Sequence, residues 1–242
     1  IPLTASYAIR HELCEYYDGA PVLHKHASFP DFRRIAAPHE RDYFVFATVR
    51  SPLDEAVSRY FKLRFDHKGT FSDPGSVKDQ RADYSDLRKY RYVTENSADF
   101  VDYFHMYHRR PYYGMIHLSG KDVDFVMRYE RLQHDFSSVL ERLGIQQVRP
   151  IPVMNKTPGK ESEWQTYYSA EIIEQAKRVF GPFMQEWDYQ FPAEWGEYSP
   201  SWFGRAKYDL TKGLAGFYLP RFRYTHGIGA SVARQLRALL LR

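Results

Sequence analysis

The sequence predicts an α/β fold: a mostly parallel sheet flanked by helices in a single domain, with a basic C-terminal extension. Two observations lead there. The run Asp42-Tyr43-Phe44-Val45-Phe46-Ala47-Thr48-Val49 is apolar and β-prone, as a strand buried on both faces must be, and a helix signal follows it at once. A second run, Val123-Asp124-Phe125-Val126-Met127, is again followed by a helical pattern. Length and composition agree. The chain has 242 residues, 43% hydrophobic and 26% charged, so it can bury a core without staples. That composition excludes a disordered, collagenous or membrane-spanning chain.

The elements follow in order. Ile1 to Ser6 is short and turn-like. Apolar residues at Ala8, Ile9, Leu13 and Tyr16 predict a helix from Tyr7 to Tyr17, stopped by Asp18-Gly19. Pro21-Val22-Leu23-His24 reads as a short strand. After the strand at 42–49, Ser51 is a good N-cap and Pro52 suits the first helical position. Asp54 and Glu55 favour the positive helix end, and the helix should run to Phe65. Residues 66–95 are polar and broken by Gly69, Pro74 and Gly75, which reads as an excursion or lid. Helices are predicted from Asn96 to Tyr107, from Arg131 to Leu143 with Gly144 as a left-handed cap, and from Ser169 to Phe180. Pro192 should end the compact part. The domain is therefore placed at 1–195 and the basic, partly helical extension at 196–242.

Charge is unevenly spread. The chain carries +4, but residues 201–242 hold eight Lys/Arg against Asp209 alone, a balance of +7, which leaves −3 for the rest. The extension suits phosphates, anionic lipid or an acidic polymer, and its end, Val232 to Arg242, reads as a basic amphipathic helix. Docking on its own domain, on a partner or as a peripheral membrane contact are all open. Nucleic acid is not an expected partner. One cysteine, Cys14, excludes an intrachain disulfide and a Cys-based zinc site. No signal peptide or long apolar run is seen, and the expected location is cytoplasmic, or Golgi-lumenal if an upstream anchor was removed. Aromatics reach 17%, which suits broad contact surfaces for sugars or nucleotides.

Two constellations carry chemistry. In Val49-Arg50-Ser51-Pro52…Ser58-Arg59-Tyr60, an arginine fork stands at the carboxyl end of a strand, with a serine two turns into the next helix. Ligands of open α/β sheets bind at that edge, and a fork beside a helix N-terminus suits a phosphate. A local cap at Arg50 and an exposed Ser58 would explain the same residues. In Leu23-His24-Lys25-His26, the two histidines share a face if extended. Such an imidazole can take a proton from a hydroxyl acceptor. A metal pair lacking a visible third ligand, or two surface histidines, are the other readings. Lys62, Arg64, Lys68, Arg81, Arg88, Lys89 and Arg91 could line a groove for an anionic sugar polymer or lie solvated. Tyr84, Tyr90, Tyr92, Tyr112 and Tyr113 could stack on sugars or fill a core.

Four segments, in order, resemble one family. Arg50-x-Pro52…Ser58-x-Tyr60 resembles the 3′-phosphate motif of the PAPS-dependent sulfotransferases, in their carbohydrate (type 2) branch. Ile1 to Ser6 resembles the loop that cradles the 5′-phosphosulfate. Met127-Arg128-Tyr129-Glu130-Arg131-Leu132 with Leu143-Gly144 resembles the family's Tyr-Glu-x-Leu…Leu-Gly segment, and Asn155-Lys156-Thr157 its late nucleotide loop. His24-x-His26…Asp31-Phe32, with Phe61-Lys62-Leu63-Arg64-Phe65, is similar to the uronyl and heparan 2-O-sulfotransferases. The resemblance implies a P-loop-like sheet whose first strand lies upstream of residue 1. It implies PAPS as sulfuryl donor, PAP as product, and no metal. The acceptor would be a carbohydrate, whether an anionic polysaccharide or a glycolipid. Arg50, Ser58, Lys156 and Thr157 would hold the 3′-phosphate, and Leu3, Thr4, Ala5, Ser6 and Tyr7 the phosphosulfate. His26 would be the base, supported by His24, with Lys62 and Arg64 toward the acceptor. Glu130 would be structural.

Two departures stand out. Leu3 occupies the place of the loop lysine, which stabilises the leaving phosphate, and Glu55 stands where many relatives have arginine. A nucleotide-binding homologue with weak or no activity is thus a second expectation. A small-molecule or nucleoside kinase is a third, against which no Gly-x-x-x-x-Gly-Lys-Ser/Thr occurs.

Overall fold

The computed structural model describes residues 3–23, 27–75, 84–118 and 123–222, with backbone alone at 217–222. It is helix-rich α/β. The helices are α1 (Ser6–Tyr16), α2 (Phe29–Ile35), α3 (Pro52–Arg64), α4 (Tyr84–Glu95), α5 (Phe100–Tyr107), α6 (Leu132–Arg142), α7 (Ala170–Glu186) and α8 (Trp202–Phe222). The strands are β1 (Phe46–Val49) and β2 (Phe125–Arg128). Two units divide the chain. Among the described residues one holds Ile1–Ser51, Gly114–Lys156 and the end of α8 from Gly216, the other Pro52–Tyr113 and Thr157–Ala215.

The first unit contains the sheet. β1 and β2 pair in parallel, with Phe46 opposite Phe125 and Val49 opposite Arg128. Below the strand, the Val45 amide donates to Asp124 at 2.7 Å. Ala8 and Ile9 of α1 share a core with Met127, Phe136, Val139, Leu140 and Ile151. Within that unit Glu12 is fully buried and takes a forked pair from Arg149, whose Nε and Nη2 lie 3.0 Å from its two oxygens. This clamp fixes α1 behind the loop that precedes it. Asp135 is likewise buried and accepts the Arg128 amide at 2.7 Å, joining α6 to the end of β2.

The second unit is built round α3. Leu53, Ala56, Val57, Tyr60, Phe61 and Leu63 are all buried, so the helix is covered on most sides. Aromatic rings fill the space: Tyr60, Phe100, Tyr103, Phe104, Tyr168, Phe180 and Trp195. Edge-to-face pairs recur, such as Phe100 on Tyr168 at 5.1 Å. Such pairs add to area burial and set ring positions. Much of the aromatic content therefore works in the core. Tyr90 stacks on Phe71, Tyr92 meets Tyr107, Tyr112 meets Phe183, and Tyr113 is buried, while Tyr84 is exposed.

Several elements differ from their predicted form. Pro21 to Leu23 forms no strand, and β1 starts at Phe46 because Pro38–Asp42 is a 3-10 turn. The excursion at 66–95 contains α4, which packs on α3 and adds buried Val93 and half-buried Tyr90 to the same core. That apolar stripe is one residue wide, so charge hid its period. α5 begins at Phe100, where Asp99 caps it by accepting the Asp102 amide at 2.9 Å. α7 continues six residues beyond Phe180, through Gly181-Pro182. Proline removes one helical hydrogen bond, but buried Phe183 and Met184 outweigh that loss. Gly181 is required there, since a Cβ would stand 1.8 Å from the Tyr198 ring.

Candidate functional site

The parallel register builds the site. Val49 lies opposite Arg128, so the next residues, Arg50 and Tyr129, leave the same sheet edge together. The Arg50 guanidinium sits 4.1 Å above the Tyr129 ring. Its Nη1 donates to the Leu3 carbonyl at 2.8 Å. The adjacent Glu130 accepts the Ser51 amide at 2.7 Å, which ties the two strand ends to each other. Arg50 and Ser51 are both buried.

The loop held by Arg50 is bent. Leu3 and Ala5 adopt left-handed backbone angles, φ 65° and 59°, although neither is glycine. Such angles cost energy in side-chain-bearing residues and mark a segment fixed by its surroundings. Ala5 is also the N-cap of α1, and its side chain cannot accept from the helix. The start of α1 therefore has no side-chain cap from Ala5, and the positive end of the helix dipole lies at this loop. Successive left- and right-handed residues at a helix start turn amides inward as an anion-binding concavity. Thr4 is buried, while Ser6 and Tyr7 are exposed. Ser6 also borders a cleft of about 440 Å³ between α1 and β1, lined by Ile9, Leu13, Phe46 and Thr48.

The remaining predicted residues fall as follows. Lys156 is exposed in the first unit, after a loop held to α6 by a two-way amide pair between Gln133 and Ile151 at 2.8 and 2.9 Å. Thr157 and Ser58 belong to the second unit. Ser58 is fully buried, which overturns the reading of it as an exposed helix residue. Its position follows from α3 being covered on most sides. Lys62 is half-buried. Arg64 is exposed and donates to Tyr60 Oη at 3.1 Å and to the Ala98 carbonyl at 3.3 Å. Glu55 accepts from Tyr112 Oη at 2.8 Å and from Arg59 at 3.1 Å. Burial works against the Arg59 charge, but Glu55 and Asp86 outweigh it and hold the guanidinium protonated.

His24 and His26 lie outside the described residues. The segment after them is firmly capped: Ser28 donates to Asp31 from its amide at 2.8 Å and its hydroxyl at 2.7 Å. Burial raises the Asp31 pKa, but the Ser28 bonds and Arg34 prevail and lower it. Among the described residues, no group of three His, Cys, Asp or Glu side chains is placed to hold a metal.

Sequence reasoning missed two supports. Tyr129 was read only as part of a motif, yet its ring carries Arg50. Lys160 belongs to no motif, yet it pairs with buried Asp54 at the start of α3. Next to it, Gly159 has φ +71° and lies against Phe65, where a Cβ would collide. Gly159 and Lys160 thus meet the residue after α3 and the first turn of α3. A lysine close behind Lys156-Thr157 was the available signal.

No curated protein and no solved structure gives a significant match to the chain. A family model does match, that of the Sulfotransferase family, over residues 12–183. The match covers more than half of the chain, including Arg50, Ser58, Tyr129, Lys156 and Thr157, and begins after the bent loop. The chain belongs to the sulfotransferase family and is a transferase by membership.

Proposed function

We propose that the protein moves a sulfuryl group from PAPS to a hydroxyl of a carbohydrate acceptor, on a P-loop-like sheet edge. The observation that carries this reading is the bent loop at residues 3–5 tied to Arg50 at the strand edge, in a member of the sulfotransferase family. In this reading the α1 amides, with Thr4 and Ser6, hold the phosphosulfate. Arg50 and Ser58 bind the 3′-phosphate, with Lys156 and Thr157 closing on it. The bond from sulfur to the phosphate oxygen breaks as a bond to the acceptor oxygen forms. The acceptor proton passes to His26, with His24 supporting. Lys62 and Arg64 contact the acceptor. Positioning and charge stabilisation supply most of the rate.

One observation favours a slower variant of the same function. Leu3 puts an isobutyl side chain where the family's loop lysine stands, so the leaving phosphate lacks that charge. Losing one such donor typically costs about 10²–10³ in rate. Turnover of PAPS with a panel of polysaccharide and glycolipid acceptors tests both readings. Activity that rises in Leu3→Lys by about that factor supports them. Full PAPS binding with no turnover in either form, across the panel, leaves a nucleotide-binding homologue instead.

A further inference from the structure

The last helix among the described residues, α8, has two apolar sides. Its inner side is fixed. Tyr208 and Ala215, two turns apart, are buried. Tyr208 Oη donates to Glu186 at 2.6 Å, Lys212 to the same carboxylate at 3.0 Å, and Arg205 to Gln185 at 2.6 Å. The helix is thereby clamped to the end of α7 and its rotation is set. The opposite side should then be polar, as on an ordinary surface helix. It is not. Trp202 is 82% exposed, Phe203 70% and Leu210 63%, with Leu214, Ala206 and Gly213 exposed beside them. At 100° per residue these six lie on one contiguous arc facing away from Tyr208 and Ala215. Scattered exposed hydrophobics are ordinary, but a continuous stripe over three turns marks a surface that something covers.

Charge decides between occupants. Lys207 is exposed at one border of the stripe, and Asp209 at the other is paired with Arg205 at 3.6 Å and Lys212 at 3.7 Å. Residues 201–242 carry a balance of +7, with Asp209 the single acid. A second copy docked through this helix would join two chains whose residues 201–242 each carry that positive balance. An anionic bilayer is complementary to both features: aromatic and aliphatic side chains enter the headgroup boundary while lysine and arginine meet acidic lipid. Among the described residues no helix is long and apolar enough to cross a membrane, so α8 would lie in the interface plane.

We propose that the outward face of α8, Trp202, Phe203, Leu210 and Leu214, docks the protein on an anionic lipid surface. The test is co-sedimentation of the full chain with vesicles of phosphatidylcholine, with and without phosphatidylserine, at low and high salt. Phe203→Glu/Leu210→Glu is compared with wild type. Both positions are exposed, and far-UV circular dichroism checks that the fold is kept. Wild type should bind the phosphatidylserine vesicles and release them at high salt, and the double variant should bind at least about tenfold more weakly. Trp202 emission should shift to the blue on those vesicles, a shift lost in Trp202→Phe. Light scattering should give the same mass for both proteins in solution. Equal vesicle binding by wild type and the double variant would assign the effect to the charge of the tail and overturn the proposal. So would no vesicle binding, or a dimer that the double variant abolishes. Should the double variant misfold, Leu210→Gln and the Trp202 emission carry the same comparison.

Discussion

His108, just past α5, offers the sharpest stability prediction. Its ring stacks on Phe104 at 4.6 Å and 9°, with Tyr103 at 5.5 Å and Phe180 at 5.7 Å. Its Nε2 is buried with no hydrogen-bond partner. Burial pushes its pKa down to about 3, and Lys89 and Arg59 push the same way. The folded pKa is thus below the unfolded value of about 6.5. Between the two, the unfolded chain binds more protons, so stability is fully present above pH 6.5 and is lost as pH falls. Each unit below 6.5 costs about 1.4 kcal/mol, which is about 2 kcal/mol at pH 5 and about 4 kcal/mol at pH 3. The assay is urea unfolding of wild type and His108→Phe at pH 7, 6 and 5. Phenylalanine keeps a ring on Phe104 and cannot titrate, so the difference between the curves isolates His108 from the carboxylates. The variant should gain about 2 kcal/mol on wild type between pH 7 and pH 5. Parallel curves over that range would refute the reasoning.

The other predictions concern the site and its supports. Arg50→Lys keeps the charge but loses both the fork and the stack on Tyr129, so PAP affinity should fall at least about tenfold by calorimetry. Lys160→Met leaves buried Asp54 without its ammonium, a loss of about 3 kcal/mol. By calorimetric scanning that lowers Tm by roughly 6–12 °C for a chain of this size. Gly159→Ala must strain a left-handed residue and displace the Phe65 ring, and limited proteolysis should show faster cutting near residue 159 than in wild type.

Where one signal dominated, the sequence was a good guide. β1 and β2 were legible as apolar runs, α3 from Ser51-Pro52 and its acids, and the cap at Gly144, whose φ is +68°. The joining of Leu3 to Arg50 was not legible, because a carbonyl 47 residues away leaves no pattern in the chain. Tyr129 beneath Arg50 depends on the strand register, which needs both strands in place. Nothing local marks Glu12, and its contact with Arg149, 137 residues on, explains its burial. α4 failed for a different reason: its buried stripe is too narrow to stand out against Arg88, Lys89 and Arg91. The helix expected to end at Phe180 continues through Gly181-Pro182 to Glu186, because buried Phe183 and Met184 outweigh the weak local propensity.

The central claim is that the sheet edge around Arg50 is a site for the 3′-phosphorylated nucleotide. Thermal melting with PAP, against ATP and AMP as controls, tests it most directly. At a hundred times Kd a ligand adds about 2.7 kcal/mol, which for a chain of this size raises Tm by roughly 5–11 °C. The account predicts that rise with PAP, its loss in Arg50→Ala, and little change with ATP or AMP. An equal or larger rise with ATP, or none with PAP in a well-folded sample, would contradict it.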